Sequence, residues 1–293
     1  MEKEKPLVSF SGGETSAFMA QWPWNNRRDE FDMIFVFANT GQENPQTIDF
    51  VRRCSEYFGF HVECIEAVVQ AVSGKGTRFQ VVHHESLSSD GEPFEAVIQK
   101  YGIPNAANPH CTRELKERPI RKYAKSLGWE SWKTAIGIRV DEIDRMNSKW
   151  REHGFVYPLM DSSMCPMTKQ QVNLYWSKMP FRLELKGYQG NCKTCWKKSL
   201  PKLHQIAREN PEWFDFMKRM ERKYERFTPD KRTGKESTGP FRFFRNSLSV
   251  KDVIRGRNTS KPVANDSAMT DYQSMMEFDE SCEVFSGCGS AGN

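Results

Sequence analysis

Through its first 160 or so residues the chain alternates short, β-rich apolar runs with segments of helical periodicity, and this alternation leaves few folds open. Leu7–Phe10 reads as a first strand and Met33–Ala38 as a second, of buried type. His61–Ile65 reads as a third and Trp132–Ile138 as a fourth. Thr15–Trp22 reads as a short helix stopped by Pro23. The next helix opens with Asn44 as N-cap and Pro45 at its first position, and Ile48, Val51, Cys54 and Phe58 line one face. Pro119–Leu127 is a further helix, ending at Gly128. A β-α-β-α order predicts an α/β fold: a mostly parallel, doubly wound sheet with helices on both faces. In such sheets ligands sit beyond the carboxyl ends of the strands.

After Tyr157 the pattern turns helical. Thr168 and Gln171 have the spacing of a capping box, and Asn210-Pro211-Glu212 opens a helix running to about Phe227. Residues 228–247 are turn-rich and basic, and the last 35 or so are small, polar and acidic, as in poorly ordered tails. Three regions follow: an α/β nucleotide-binding domain over 1–165, a helical, basic, cysteine-bearing region over 166–257, and an acidic tail over 258–293. No internal repeat is visible.

Composition narrows the setting. Of 293 residues 38% are hydrophobic, and no window approaches the ~18 apolar residues of a membrane span. The charged start, Met1 to Pro6, is not a signal peptide, so a cytoplasmic, reducing location is expected. There, eight cysteines read as metal or redox ligands rather than disulfides. The net charge of +5 is unevenly spread, with 17 Lys and Arg against 8 Asp and Glu from Lys197 to Arg257. This favours a polyanionic partner, although solvated helix faces explain the same charge.

Ser9-Phe-Ser-Gly-Gly-Glu-Thr-Ser16 lies between the first strand and the first helix. Gly12 and Gly13 let backbone N–H groups approach an anion, the helix N-terminus adds donors, and Ser11, Thr15 and Ser16 add hydroxyls. The loop is neither a Walker A loop nor a Rossmann G-x-G-x-x-G. It resembles the PP-loop of the ATP-pyrophosphatase and PAPS-reductase superfamily, the adenine nucleotide alpha hydrolases. Two further stretches strengthen the likeness. Asn39, Thr40, Gly41, Glu43, Thr47 and Phe50 resemble the family's N-T-G-x-E-x-x-x-T-x-x-F, and Gly137, Arg139, Glu142 and Arg145 its G-x-R-x-x-E-x-x-R.

The resemblance covers roughly residues 6–200. It implies that Ser9, Ser11, Gly12, Gly13, Glu14, Thr15 and Ser16 hold a nucleotide's phosphates, with the adenine near Asn39, Thr40, Gly41 and Glu43. Arg139 and Arg145 would neutralise a phosphate or leaving pyrophosphate; ion pairing with Asp141, Glu142 or Asp144 is their plain alternative. The paired glycines are those of ATP-cleaving members, which favours ATP, with Mg2+, over APS or PAPS.

Cys192-Lys-Thr-Cys195 supplies half of a tetrahedral metal site. His110-Cys111-Thr-Arg113, with Cys192 following Cys111 after 81 residues, is similar to the cysteine motifs of iron–sulfur APS reductases, one tandem cysteine being replaced by His110. Cys165 is the candidate for the missing ligand. Cys111, Cys165, Cys192 and Cys195 would hold a 4Fe–4S cluster or, as the alternative, zinc. Cys54 and Cys64 read as core residues. Cys282 and Cys288 resemble loosely the reductases' C-terminal Glu-Cys-Gly nucleophile, Cys288 lacking the preceding Glu.

In the basic region, Phe214, Met217 and Tyr224 have core spacing, whereas Phe241-Arg-Phe-Phe-Arg245 reads as a nucleic-acid candidate. The expectation is an ATP-using enzyme of sulfur chemistry acting on tRNA or DNA. An APS/PAPS reductase releasing sulfite and a non-catalytic nucleotide- and metal-binding module are its rivals. A protein partner or a second copy stays open.

Overall fold

β1 (Pro6–Ser9), β2 (Ile34–Asn39), β3 (Val62–Val68), β4 (Arg78–Val81), β5 (Lys133–Ala135) and β6 (Phe155–Val156) form one sheet in the order β4-β3-β2-β1-β5-β6. The computed structural model describes residues 3–70, 72, 74–190, 192–227 and 239–268. Neighbouring strands run parallel except β3 and β4, an antiparallel edge pair. The arrangement is α/β with a mostly parallel, Rossmann-like sheet. Chain order reverses at β1, with β2 on one side and β5 on the other, so a crevice opens beyond their carboxyl ends.

Helices α1 (Glu14–Arg27), α2 (Pro45–Phe58), α3 (Glu92–Tyr101), α4 (His110–Thr112) and α5 (Arg118–Ser126) connect the strands. The pleat divides the strand residues between two faces. Val8, Phe35, Phe37 and Cys64 pack with Phe18 of α1 and with Phe50 and Cys54 of α2. Leu7, Val36, Ala38 and Ile65 pack with Ile120, Tyr123 and Ala124 of α5. The buried stripe of α2 is Thr47, Phe50, Val51 and Cys54, rotated from the expected one, with Ile48 and Phe58 half-buried.

Two helices depart from their sequence signals. α1 runs through Pro23 to Arg27, because flanking contacts outweigh the backbone bond that proline cannot make. Trp24 just beyond it donates Nε1–H to the Phe58 carbonyl at 3.0 Å. α5 begins earlier than Pro119. It continues from α4 through a π-helical turn, Arg113–Glu117, in which the Arg118 N–H reaches back to the Arg113 carbonyl. Pro119, lacking an N–H, sits where this wider turn returns to α-geometry.

The second half is helical: α6 (Lys169–Ser177), α7 (Leu200–Glu209), α8 (Asp215–Tyr224) and α9 (Val250–Arg255). The capping box of α6 is present, Gln171 N–H donating to Thr168 Oγ1 at 3.3 Å and Thr168 N–H to Gln171 Oε1 at 2.8 Å. α7, α8 and α9 share a core with α3, in which Phe94 meets Phe216 with ring centroids 5.5 Å apart. Among the described residues no helix is long and apolar enough to cross a membrane. Residues 228–238 and the tail from 269, including Cys282 and Cys288, lie outside the described residues.

Candidate functional site

The glycine loop follows β1 at the crevice and folds onto the first turn of α1. Gly12 adopts φ +79°, and a Cβ there would lie 2.5 Å from Thr47 Cγ2, so only glycine fits between the loop and α2. Ser11 N–H and Oγ–H both donate to Ser16 Oγ, at 3.1 and 3.0 Å, and Ser16 Oγ–H donates to the Gly13 carbonyl at 2.9 Å. Gly13 is the N-cap of α1 and brings no capping side chain, so the first-turn N–H groups keep no side-chain acceptor. Those donors and the positive end of the helix are what an anion would meet.

β5 supplies the opposite wall. At its end Gly137 packs so closely on α1 that an added Cβ would lie 3.2 Å from Ser16 Cα. Two residues on, Arg139 is 9% exposed and donates through Nη1 to Thr15 Oγ1 at 3.0 Å. Asp141 holds it at 3.0 and 3.1 Å, and Glu142 lies 3.1 Å from Nη1. Arg145 is largely exposed and pairs with Glu142. Both arginines thus make the ion pairs of their plain alternative, yet Arg139 is also fixed on the glycine loop.

Together these groups line a cleft of about 240 Å3, with Ser11, Gly13, Thr15 and Ser16 on one side and Arg139 and Arg145 on the other. Lys169 and Lys186, which the sequence reading missed, add two more cations, and Glu14 and Glu142 contribute the acids. Glu14 faces inward: its carboxylate accepts Arg182 Nε and Nη2 at 3.0 and 3.1 Å and Leu183 N–H at 3.3 Å. Arg182 also donates to the Ser267 carbonyl at 2.7 Å, so the start of α1 is tied to two distant segments. Of the expected phosphate residues, Ser9 ends β1 away from the cleft, and Gly12 shapes the loop from behind.

Asn39, Thr40, Gly41 and Glu43 do not line this cleft; all are buried. Asn39 Nδ2 donates to Glu66 Oε1 at 2.6 Å and to the Ser88 carbonyl at 2.9 Å, and Gly41 N–H donates to Asn39 Oδ1. The Glu43 carboxylate accepts Thr40 N–H and Oγ–H, both at 2.8 Å, and Gln42 N–H at 3.2 Å. These groups are engaged in a buried bracket beside the cleft rather than in its lining. Next to the bracket, the Asn44 amide and Thr47 Oγ1 are buried with no hydrogen-bond partner among the described residues, polar capacity beneath the glycine loop.

The bracket carries the cysteine loop. Glu43 bridges to Cys192, whose Sγ lies 3.8 Å from Glu43 Oε1, and Lys193 N–H donates to the Gln42 carbonyl at 2.9 Å. Lys116 Nζ approaches Glu43 at 3.7 Å. Burial would lower the Lys116 pKa, but it is raised, by the negative charge that Cys192, Cys195 and Cys111 carry as thiolates and by the Glu43 carboxylate. Burial, reinforced by Glu43, pushes the Cys192 thiol up to about 12. Lys198 Nζ clamps the loop by donating to the Gln189 and Cys192 carbonyls, each at 2.6 Å.

Cys165 does not join this group. Its loop is held by Cys165 N–H on the Pro158 carbonyl, and the side chain packs against the core of α1, α2 and α6, whereas Cys111 packs against that of α3 and α7. The expected four-thiolate set is therefore not assembled. Among the described residues no group of three or more His, Cys, Asp or Glu side chains is placed to hold a metal ion. Cys54 and Cys64 are core residues, as expected.

The aromatic run 241–245 turns its two central rings into the core, with Phe241 half-buried. Phe243 and Phe244 are 0% and 4% exposed, turned inward where Glu221 accepts Phe243 N–H at 3.4 Å and Val250 N–H at 2.9 Å. Arg242 pairs with Glu225 and Arg245 donates to the Lys197 carbonyl. Phe214, Met217 and Tyr224 are core, as their spacing indicates.

No family model matches the chain. It is similar to an uncharacterized nin region protein, ORF290, of Escherichia phage lambda, with 28% identity over 298 residues that cover 96% of this chain and 95% of that protein.

Proposed function

We propose that the chain is a PP-loop enzyme with a doubly wound α/β domain, which binds an adenine nucleotide, ATP in preference, with its phosphates in the cleft between α1 and the end of β5. One observation carries this reading. The glycine loop, the uncapped first turn of α1 and Arg139 meet at the point where strand order reverses. A polyphosphate there would be cradled by backbone N–H groups and hydroxyls, and Arg139 would exchange part of its pairing with Asp141 and Glu142 for a phosphate. Lys169, Lys186 and Arg145 add charge that stabilises a leaving pyrophosphate. The chemistry is cleavage at the α–β linkage with transfer of the adenylyl group to an acceptor, in the service of sulfur chemistry on nucleic acid, tRNA or DNA. Mg2+ would accompany the nucleotide. Without Cys165 the cysteine group does not fit a four-thiolate cluster or zinc site, and no step is routed through one.

The test is direct. Purified anaerobic protein is incubated with ATP, APS or PAPS, with and without RNA or DNA, and pyrophosphate and sulfite are measured. Pyrophosphate from ATP, falling at least tenfold in Arg139→Ala, is the expected result (about 1.4 kcal/mol of transition-state stabilisation or more). Sulfite from APS or PAPS would replace this reading with that of a reductase. Nucleotide binding without any product would leave a binding module.

A further inference from the structure

A second cavity, of about 490 Å3, adjoins the phosphate cleft, and Leu183, Leu185, Lys186 and Ser267 line both. Its far side comes from the turn between α7 and α8, where Asn210 and Trp213 stand, and from Gln189. Its chemistry differs from that of the cleft. Carboxamides of Gln46, Gln189, Asn210 and Asn265 and one indole ring stand here beside Arg182, Glu184 and Lys186, whereas the described residues lining the cleft include no amide side chain and no aromatic ring. The Asn210 amide and the Gln189 amide nitrogen are loosely engaged. Gln189 Nε2 reaches Asn210 Oδ1, and Asn210 Nδ2 reaches Glu212, each at 3.5 Å, the outer limit of a hydrogen bond, while Gln189 Oε1 is already taken by Lys186 N–H at 2.9 Å.

Carboxamides offer a donor and an acceptor side by side, which matches the edge of a purine or pyrimidine, and an indole offers a stacking face. A volume of 490 Å3 is in the range of small-ligand sites and holds a nucleoside. We infer that this cavity is a nucleobase subsite opening beside the phosphate cleft, with Trp213 as the stacking wall and the Asn210 carboxamide and Gln189 Nε2–H as the edge-reading groups. The inference rests on the nucleotide reading of the cleft. The base comes from one of two sources, the nucleotide whose phosphates fill the cleft or a nucleic-acid acceptor.

Calorimetric titration of the full chain with tripolyphosphate, with ATP, and with a mixed-sequence single-stranded oligonucleotide separates these cases. Wild type, Trp213→Ala and Trp213→Phe are compared, the last keeping a ring for stacking and for the core Trp213 touches. Trp213→Ala is expected to leave tripolyphosphate affinity unchanged and to weaken one base-bearing ligand by roughly 10- to 100-fold, with Trp213→Phe restoring most of it. A loss for ATP assigns the base to the bound nucleotide; a loss for the oligonucleotide alone assigns it to the acceptor. ATP affinity unchanged in Trp213→Ala, with oligonucleotide binding unchanged or absent, overturns the subsite and leaves the phosphate cleft standing. A wild-type chain that binds neither tripolyphosphate nor ATP overturns the cleft, and the subsite with it.

Discussion

The paired glycines of the loop have different jobs, and substituting each with alanine should separate fold from ligand. At Gly12, φ is +79°, a conformation that costs an L-residue about 1–2 kcal/mol. The new Cβ would lie 2.5 Å from Thr47 Cγ2 and 3.2 Å from Phe37 Cε2. Both neighbours are almost fully buried, and Thr47 is β-branched and stiff, so the clash adds about 1–3 kcal/mol. The lower entropy of the unfolded alanine chain returns only about 0.4–1 kcal/mol. Gly12→Ala should therefore cost about 2–4 kcal/mol. Gly13 has φ −101° and ψ 158°, which any residue adopts, and its alanine variant loses at most about 1 kcal/mol as an N-cap. Urea unfolding followed by tryptophan fluorescence should thus show Gly12→Ala lowest, by ~1 M in midpoint relative to Gly13→Ala. Tripolyphosphate binding should fall in the folded Gly13→Ala protein, because Gly13 lines the cleft. Equal midpoints for the two variants would refute this division of labour, and so would undiminished anion binding by Gly13→Ala.

The remaining predictions concern the supports of the site. Glu14→Gln removes the charge that holds Arg182, whose side chain is 31% exposed, and should cost about 1–3 kcal/mol. Hydrogen exchange should quicken over residues 182–187, and unchanged exchange there would argue that the pair is not what fixes the wall. Cys64 is raised from 9.0 to about 12, and Cys54 is raised too, both chiefly by burial. The unfolded thiols lose their protons near 9 while the folded ones keep theirs, so this stability is full below pH 9 and is lost as pH rises toward 12. Urea midpoints should fall between pH 9 and 10 with a slope approaching ~1.4 kcal/mol per unit for each thiol, shallower in Cys64→Ala. Phe243→Ala should cost about 3–5 kcal/mol in thermal or urea unfolding. The exposed Phe227→Ala should cost under ~1 kcal/mol. Neither should change oligonucleotide binding while folded, and a selective loss of binding in Phe243→Ala would restore the aromatic run as a nucleic-acid surface.

Sequence showed the centre of the sheet because β1, β2 and β3 are runs that bury side chains on both faces. It missed β4, whose Arg78, Gln80 and Val81 are exposed on an edge, and β6, two residues long. Pro23 misled because a proline is a local signal, and the contacts that carry α1 past it are made with distant residues. The glycine loop and Arg139 were legible for the opposite reason: each lies at a strand end, where position along the chain fixes position in the crevice. Arg182, Lys186 and Ser267 were not, since they come from segments more than 160 residues further along than Glu14, which Arg182 holds. Asn39 to Glu43 show a third limit. Polar side chains at a strand end read alike whether they face a ligand or a buried network, and only the acceptor and donor pairing tells them apart.

That buried network changes what the second motif is for. Glu43 and Gln42 hold Cys192 and Lys193 against the end of β2, and Lys198 closes the same loop from its own carbonyls. Upstream, Gly187 and Gly190 line the cleft beside the glycine loop, and Arg182 is locked onto Glu14 at the start of α1. One continuous stretch, Arg182 to Lys198, thus joins the glycine loop at one end to the cysteine group at the other. It also borders the second cavity, through Leu183, Leu185 and Gln189. A ligand in the cleft that draws on Lys186 or Gly190 must pull on a segment whose far end is pinned by the Glu43 carboxylate, which meets Thr40, Gln42, Lys116 and Cys192. The segment therefore either resists, which makes the cleft preorganised, or yields at its glycines, Gly187 and Gly190. The contacts favour resistance, because the Asp266 carboxylate lies so close over Gly187 that a Cβ there would sit 1.5 Å from Asp266 Oδ1, and Lys198 Nζ holds the Gln189 and Cys192 carbonyls on either side of Gly190.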